Sequence, residues 1–298
     1  MVDVCAFGYV TKESEVFQGR YREFTAGPPY FFSMALARLG TSVLVVTKLA
    51  PKDRYIVREM EEVGIRVVTL ESKTTFSAHT IYGKTLDERH IRILSTADPF
   101  TLNDLRYCSG CRLVYVGPLT TKDFTLDFMR EARRLAPLVL DVQGFTREVV
   151  GDRIEYVDWS WKVEGSRYVD IFKADSKEAK LLTGYEDALE AMDVIMSWGP
   201  KEVLITSSKG VYLGVRGSGK YFAPFKVDRV VGRVGRGDTC TASYVHARLK
   251  GMGYEESVKF AAAATSLKLT YQGPLRNSEA EVLEFVREKY SDVNVRIE

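Results

Sequence analysis

From Val230 to Gly251 the chain reads VVGRVGRGDTCTASYVHARLKG, in which Gly232, Gly235, Gly237 and Asp238 run straight into a segment of helical spacing. A glycine-rich turn at a helix start lets successive backbone N–H groups converge on one point, and the positive end of the helix dipole adds its field there. Such a point binds an anion. Gly235 and Gly237, with Arg236 between them, supply the turn, and the helix is expected from about Asp238 to Leu249. A carboxylate beside a bound phosphate can take the proton of a hydroxyl that attacks the phosphorus. Read alone, G-x-G-D fits equally well a helix for which Asp238 is only the N-cap.

These residues need elements to hold them. Segments 2–10, 42–49, 66–70, 112–119, 137–143, 170–175 and 202–208 are short, mostly apolar and rich in β-branched residues, as parallel strands buried on both faces are. Between them, 28–40, 52–64, 120–135 and 176–184 carry apolar residues at spacings of three and four, and three of the four end in glycine. The alternation predicts an α/β fold: a three-layer, doubly wound, mainly parallel sheet. Half-polar strands at 16–24 and 76–94 interrupt it and read as a small β lid, spanning about 11–25 and 76–96, on one domain of residues 1–298.

With 42 basic against 40 acidic residues the net charge is +2, which leaves no bulk excess to drive nucleic-acid or membrane binding, so the expected partner is small. No run of about 20 apolar residues is present, and the chain reads as soluble and cytoplasmic. Four cysteines in 298 residues make no disulfide scaffold. Cys108 and Cys111 form a lone C-x-x-C and are read as reduced structural thiols. GVRGSGKY (214–221) fits the P-loop spacing but has Tyr221 where a Ser or Thr must hold magnesium, so its GSGK is read as a hairpin turn. His79, His90 and His246 show no ligand spacing. Lid edge strands could pair two chains into a homodimer.

The order of motifs resembles the ribokinase, or PfkB, family of carbohydrate kinases along nearly the whole chain. GRVGRGD is similar to its D-T-x-G-A-G-D signature, FAAAATSLKLTYQGP to the small-residue helix beneath its nucleotide, and AGPPYFFSMALARLG to its first glycine motif and helix. FKADSKEAKLLTG resembles its N-x-x-E segment and VLITSSKGVYL its nucleotide-binding strand and turn. The resemblance implies ATP and Mg2+ as cofactors, Asp238 as catalytic base, and Gly235, Arg236 and Gly237 as anion hole. It also implies Glu178, with Asp175 where asparagine is usual, organising magnesium through water. Thr206 and Gly210 fall at the nucleotide and Ala262 at the adenine wall; Glu13 and Gly27 fall at the acceptor.

The chain departs from the pattern in places. Gly232 replaces the first aspartate of the signature, which puts in doubt the monovalent-cation site that many relatives have there. Tyr30, Phe31 and Phe32 follow Gly27 where an asparagine is usual, and DVQGF places Gln143 and Phe145 where D-x-N-x-R is common. Within the family the combination is most similar to the myo-inositol kinases of thermophiles. An aromatic slot with a polar rim suits a flat cyclitol, although Phe31 and Phe32 also fit a packed helix. Ribose, fructose and adenosine kinases remain alternatives, as does a sugar- or nucleotide-binding regulator without turnover.

Overall fold

The β-branched runs become the middle of a nine-stranded sheet in a computed structural model that describes residues 2–17, 19–83 and 89–297. The strands are β1 Val4–Gly8, β2 Thr11–Phe17, β3 Arg20–Ala26, β4 Val43–Leu49, β5 Arg66–Glu71, β6 Ser77–Tyr82, β7 Arg89–Ser95 and β8 Leu113–Gly117. They continue as β9 Leu138–Asp141, β10 Arg147–Val150, β11 Arg153–Tyr156, β12 Ile171–Asp175, β13 Glu202–Thr206, β14 Gly210–Val215 and β15 Gly219–Pro224. The helices are α1 Pro28–Arg38, α2 Arg58–Glu62, α3 Leu126–Leu135, α4 Lys162–Ser166, α5 Ser176–Thr183, α6 Ala188–Ser197, α7 Arg236–Leu249, α8 Tyr254–Leu269 and α9 Glu279–Tyr290.

The sheet order is β15-β14-β13-β12-β9-β8-β1-β4-β5, parallel from β13 to β5, with β14 and β15 added antiparallel. Alternate residues of each buried strand enter opposite cores. Val4, Ala6, Val45 and Tyr115 pack on the side of α1, α7, α8 and α9, while Cys5, Phe7, Val46 and Val114 pack on the side of α3, α5 and α6. The chain leaves β1 toward β4 and β5 on one side and later returns to β8 on the other, so a crevice opens at the carboxyl ends of β1 and β8.

A second sheet, β3-β2-β6-β7, is the expected lid: antiparallel hairpins β2–β3 and β6–β7, joined by parallel pairing of β2 with β6. The polar turn expected inside 76–94 lies outside the described residues. GSGK is part of the β14–β15 hairpin, where Val215 pairs with Gly219.

Two helix expectations are corrected. The segment 52–64 divides into a 3-10 turn, Pro51–Val57, and the short α2. The helix expected from residue 120 begins at Leu126, because the Asp123 carboxylate accepts from the Leu119 and Thr120 amides (2.6 and 2.8 Å) and folds 119–123 into a loop. Thr125 then caps α3 by accepting from the Phe128 amide. The hairpin β10–β11 and helices α6 and α9 carry no motif and were not anticipated.

Candidate active site

Gly235 is the N-cap of α7 at φ 78°, a left-handed conformation that glycine adopts without strain. A Cβ there would lie 2.3 Å from the Phe31 ring of α1, so the absence of a side chain lets α1 and the turn meet. Helix α7 begins at Arg236, two residues before the expected start, and Asp238 therefore sits inside its first turn rather than capping it. Of the three amides expected to form an anion hole, that of Arg236 is already used: it donates to the Arg233 carbonyl (3.1 Å). Among the described residues the Gly235 and Gly237 amides make no hydrogen bond within the protein, and they are the donors left for an anion.

The carboxyl ends of the parallel strands bring charged groups to this turn. Asp141 ends β9 and pairs in register with Lys173 of the neighbouring β12, and Lys173 Nζ lies 2.9 Å from Asp141 Oδ2, both side chains buried. A Cβ at Gly237 would stand 2.6 Å from Lys173 Nζ, so this ammonium lies against the α7 turn. Burial opposes the Lys173 charge, but Asp141, with Glu178, Asp238 and Asp175 behind it, outweighs burial and holds its pKa above the ordinary value. Asp238 keeps part of its surface open, yet lost hydration and then the Asp141 charge push its carboxyl up to about 8, against the pull of Lys173. The buried Tyr115 hydroxyl has no partner in hydrogen-bond geometry, although it is near enough to Asp238 for that charge to suppress its ionisation further once burial has done so.

Asp175 ends β12 and caps α5, its Oδ1 accepting from the Lys177 and Glu178 amides (2.8 Å each), while Glu178 Oε2 accepts from the Asp175 amide (2.7 Å). This reciprocal capping box fixes Glu178 in the wall of the crevice. Arg147 lies 3.7 Å from Glu178 Oε1. Burial, resisted by Lys173 and aided by Asp175 and Asp141, pushes Glu178 up to about 7. Thr206 ends β13 with a buried, unpartnered Oγ1.

Glu13 stands on β2 of the lid. Glu13 is half-buried and accepts from the Thr11 hydroxyl (3.1 Å). In register with Ala78 of β6, it shares the inner face with buried Thr11, Glu15 and Thr80. Gly27 has φ 100°, and a Cβ there would strike the Tyr9 carbonyl at 2.1 Å, so only glycine lets α1 start this close to the end of β1. Gln143 is half-buried beside Asp141, whose Oδ1 accepts its amide (3.1 Å).

Other expected contacts are packed away. Phe145 has no exposed surface and is enclosed by Trp159 and Trp161, with ring centroids 4.7 and 4.9 Å away, so it is core and not a pocket wall. Phe32 stacks on Tyr115 at 3.8 Å, Phe31 covers Gly235 and Tyr30 donates to Glu59, which leaves no open aromatic slot after Gly27. Gly210 is tight against β15, since its Cβ would lie 2.3 Å from the Ala223 carbonyl. Ala262 is fully buried and walls no slot: Ser266, one turn along the same face of α8, accepts from the Lys226 amide (2.9 Å) and meets Tyr290 Oη (3.1 Å), which donates to the Pro224 carbonyl.

Away from the crevice, Cys108 and Cys111 are free thiols with sulfurs 3.3 Å apart. His79 bonds Ser14, His90 is exposed, and His246 is buried between Thr41 and Glu279. Among the described residues no helix is long and apolar enough to cross a membrane, and no group of three or more His, Cys, Asp or Glu converges as a metal site.

The model of the pfkB family of carbohydrate kinases matches residues 4–281. The chain belongs to that family. This PfkB chain superimposes on a pyrophosphate-dependent kinase of the ribokinase family in a sulfate complex, with TM-score 0.87 and 36% identity over 94% of this chain and 99% of the other. It is also similar to a pyrophosphate-dependent ribokinase-family kinase complexed with a pyrophosphate analogue and myo-inositol, with TM-score 0.86 and 35% identity over the same shares, 94% and 99%. Arabidopsis thaliana ribokinase, complexed with ribose and ATP, shares the fold at 19% identity, TM-score 0.79, over 96% of this chain and 99% of the other. In sequence the PfkB chain is 30% identical over 127 residues to ribokinase of Haemophilus influenzae, 39% of this chain and 41% of that protein. It thus spans about two fifths of the length of the curated ribokinases it matches.

Lys173, Tyr115, Arg147 and Lys268 were not anticipated as parts of the site. The first three occupy different elements and meet only through strand order, which no local pattern reports; Lys268 lies within the helix read as small-residue packing.

Proposed function

We propose that this kinase transfers a phosphoryl group from inorganic pyrophosphate to one hydroxyl of a cyclitol, myo-inositol being the acceptor. The observation that carries the reading is Asp238 in the first turn of α7, beside the unpaired Gly235 and Gly237 amides. The terminal phosphate rests on those amides and the helix dipole, with the Lys173 ammonium against the same turn. The acceptor hydroxyl gives its proton to Asp238, its oxygen bonds the terminal phosphorus, and the bridging P–O bond breaks to release orthophosphate. A base near pKa 8 matches an alcohol that loses its proton only as the new bond forms.

Three observations support pyrophosphate over ATP, the donor that the family resemblance implied. The α8 face at Ala262 and Ser266 is tied to Lys226 and to Tyr290, which in turn donates to the Pro224 carbonyl, and this covering leaves little room for an adenine wall there. The loop from 226 to 236 carries Lys226, Arg229, Arg233 and Arg236 against one acid, Asp228, which suits a compact polyanion. Two neighbours with about a third of their residues identical are pyrophosphate-dependent. Asp175 Oδ2 and Glu178 Oε1 are not used in the capping box and form an all-oxygen set, the chemistry Mg2+ takes together with phosphate and water. They would hold the ion, which when bound offsets charge on the donor phosphates.

The acceptor rests on the polar inner face of the lid, Glu13 above all, and on the likeness to a kinase complexed with myo-inositol. The test is a donor-by-acceptor matrix: pyrophosphate or ATP with myo-inositol, ribose, fructose or adenosine, each product quantified. The highest kcat/KM is expected for pyrophosphate with myo-inositol. ATP outperforming pyrophosphate overturns the donor, another acceptor winning overturns the cyclitol, and no transfer in any well favours a binding protein.

A further inference from the structure

Lys268, in the last turn of α8, has no exposed surface, and its Nζ donates to the Gly232 carbonyl at 2.8 Å. Among the described residues it forms no ion pair, yet it lies near enough to the α7 turn to sense the Asp238 and Arg236 charges. A buried ammonium without a paired carboxylate is costly to keep. Its neighbourhood is built around it. Gly232 stands where the family signature has an acid, and no side chain fits there: a Cβ would be 2.2 Å from the Tyr271 carbonyl and 2.9 Å from Gln272 Cα. The Val231 and Gly232 amides both donate to the Leu269 carbonyl (2.8 and 3.3 Å), so the strap entering the Gly235 turn is pinned to the end of α8 on which Lys268 stands. A cation there is also favoured by the carbonyl end of α8 itself.

We propose that the Lys268 ammonium is a resident monovalent cation of the phosphoryl site, holding the 231–235 strap and offsetting anionic charge where an exchangeable ion would otherwise sit. It is a positioning residue, acting through Gly232 and the α7 turn rather than by touching substrate. Burial lowers its pKa to about 8, so the ammonium is still the main form at neutral pH. The assignment rests on the phosphoryl-transfer reading above, and its test has one readout that needs no turnover.

Rates and melting temperatures are measured for the full chain and for Lys268→Ala and Lys268→Met in potassium, ammonium or choline chloride at equal ionic strength. The unaltered protein is expected to vary by less than about twofold among the salts, while Lys268→Ala loses about a hundredfold in choline, the scale of one lost electrostatic contact. Potassium or ammonium should enter the emptied space, restore about tenfold or more, and raise the melting temperature of Lys268→Ala above its value in choline. Lys268→Met fills the space without charge and should not be rescued. Potassium activation of the unaltered protein, or a Lys268→Ala protein whose rate and melting temperature are equal in all three salts, overturns the assignment. If Lys268→Ala is unfolded in choline, restoration of its fold by potassium supports the proposal and failure of every salt to restore it overturns it. Should the unaltered protein phosphorylate nothing, the functional reading fails while the melting comparison still decides the role of Lys268.

Discussion

Gly235→Ala tests whether the turn proposed to hold the donor phosphate depends on its contact with α1. Two costs add. Alanine at φ 78° carries about 1–2 kcal/mol of left-handed strain. Its Cβ would also sit 2.3 Å from two Phe31 ring carbons, more than an ångström inside ordinary contact, and Phe31 is only 3% exposed and packed edge-on to Tyr30 at 5.0 Å. Overpacking of that kind costs about 1–3 kcal/mol. The sum, about 2–5 kcal/mol, corresponds to a melting temperature lower by roughly 5–15 °C in a chain of this size. Relief by backbone movement shifts the Gly235 and Gly237 amides by about 1 Å, enough to lower kcat about a hundredfold. Calorimetry and steady-state kinetics measure both, and Phe31→Leu in the same background should recover part of each loss, because it removes the clash and leaves the strain. A Gly235→Ala protein with kcat within about twofold and melting temperature within about 2 °C of the unaltered one would refute the reasoning.

If the lid carboxylate holds acceptor hydroxyls, as proposed, Glu13→Ala should raise KM for the cyclitol about tenfold or more with little change in KM for the donor; equal effects on both constants would remove Glu13 from the acceptor site. In the free enzyme kcat/KM should climb with pH through the region of about 7 to 8, where the Glu178 and Asp238 carboxyls lose their protons. Asp141→Asn deletes a negative neighbour of Asp238 and frees Lys173, and should move that limb about one to two pH units toward acid; a limb that stays in place would detach it from Asp238. Stability should run the other way. Both folded pKa values lie above those of the unfolded chain, so the native state holds protons that the unfolded state has released. Their stabilisation is complete below about pH 4 and is lost as pH rises to about 8, which chemical denaturation at a series of pH values measures.

Much of the scaffold is written locally. Seven apolar runs became the parallel strands because burial on both faces leaves a continuous signature, and the lid showed itself by alternating polar and apolar residues. The glycine turn at Gly235 and the helix after it, expected to start two residues later than it does, were legible because both are local events. What was not legible depends on neighbours distant in sequence. Lys173 meets Asp141 only because β12 lies beside β9, and Phe145 went into the core because Trp159 and Trp161 fold over it. Ala262 was a reasonable wall until α9 brought Tyr290 across the face of α8. Asp123 bending 119–123 out of helix is local chemistry that apolar spacing alone does not report.

The central claim is that Asp238 takes the acceptor proton as a phosphoryl group passes from pyrophosphate to myo-inositol. Phosphorus NMR of the unaltered protein and Asp238→Asn, each mixed with pyrophosphate, magnesium and myo-inositol, tests it most directly, with donor affinity measured separately by calorimetry. The account predicts one phosphomonoester and one orthophosphate per pyrophosphate consumed, and a rate about a hundredfold to ten-thousandfold lower in Asp238→Asn with donor binding retained. A phosphomonoester formed at a near-normal rate by Asp238→Asn would contradict it.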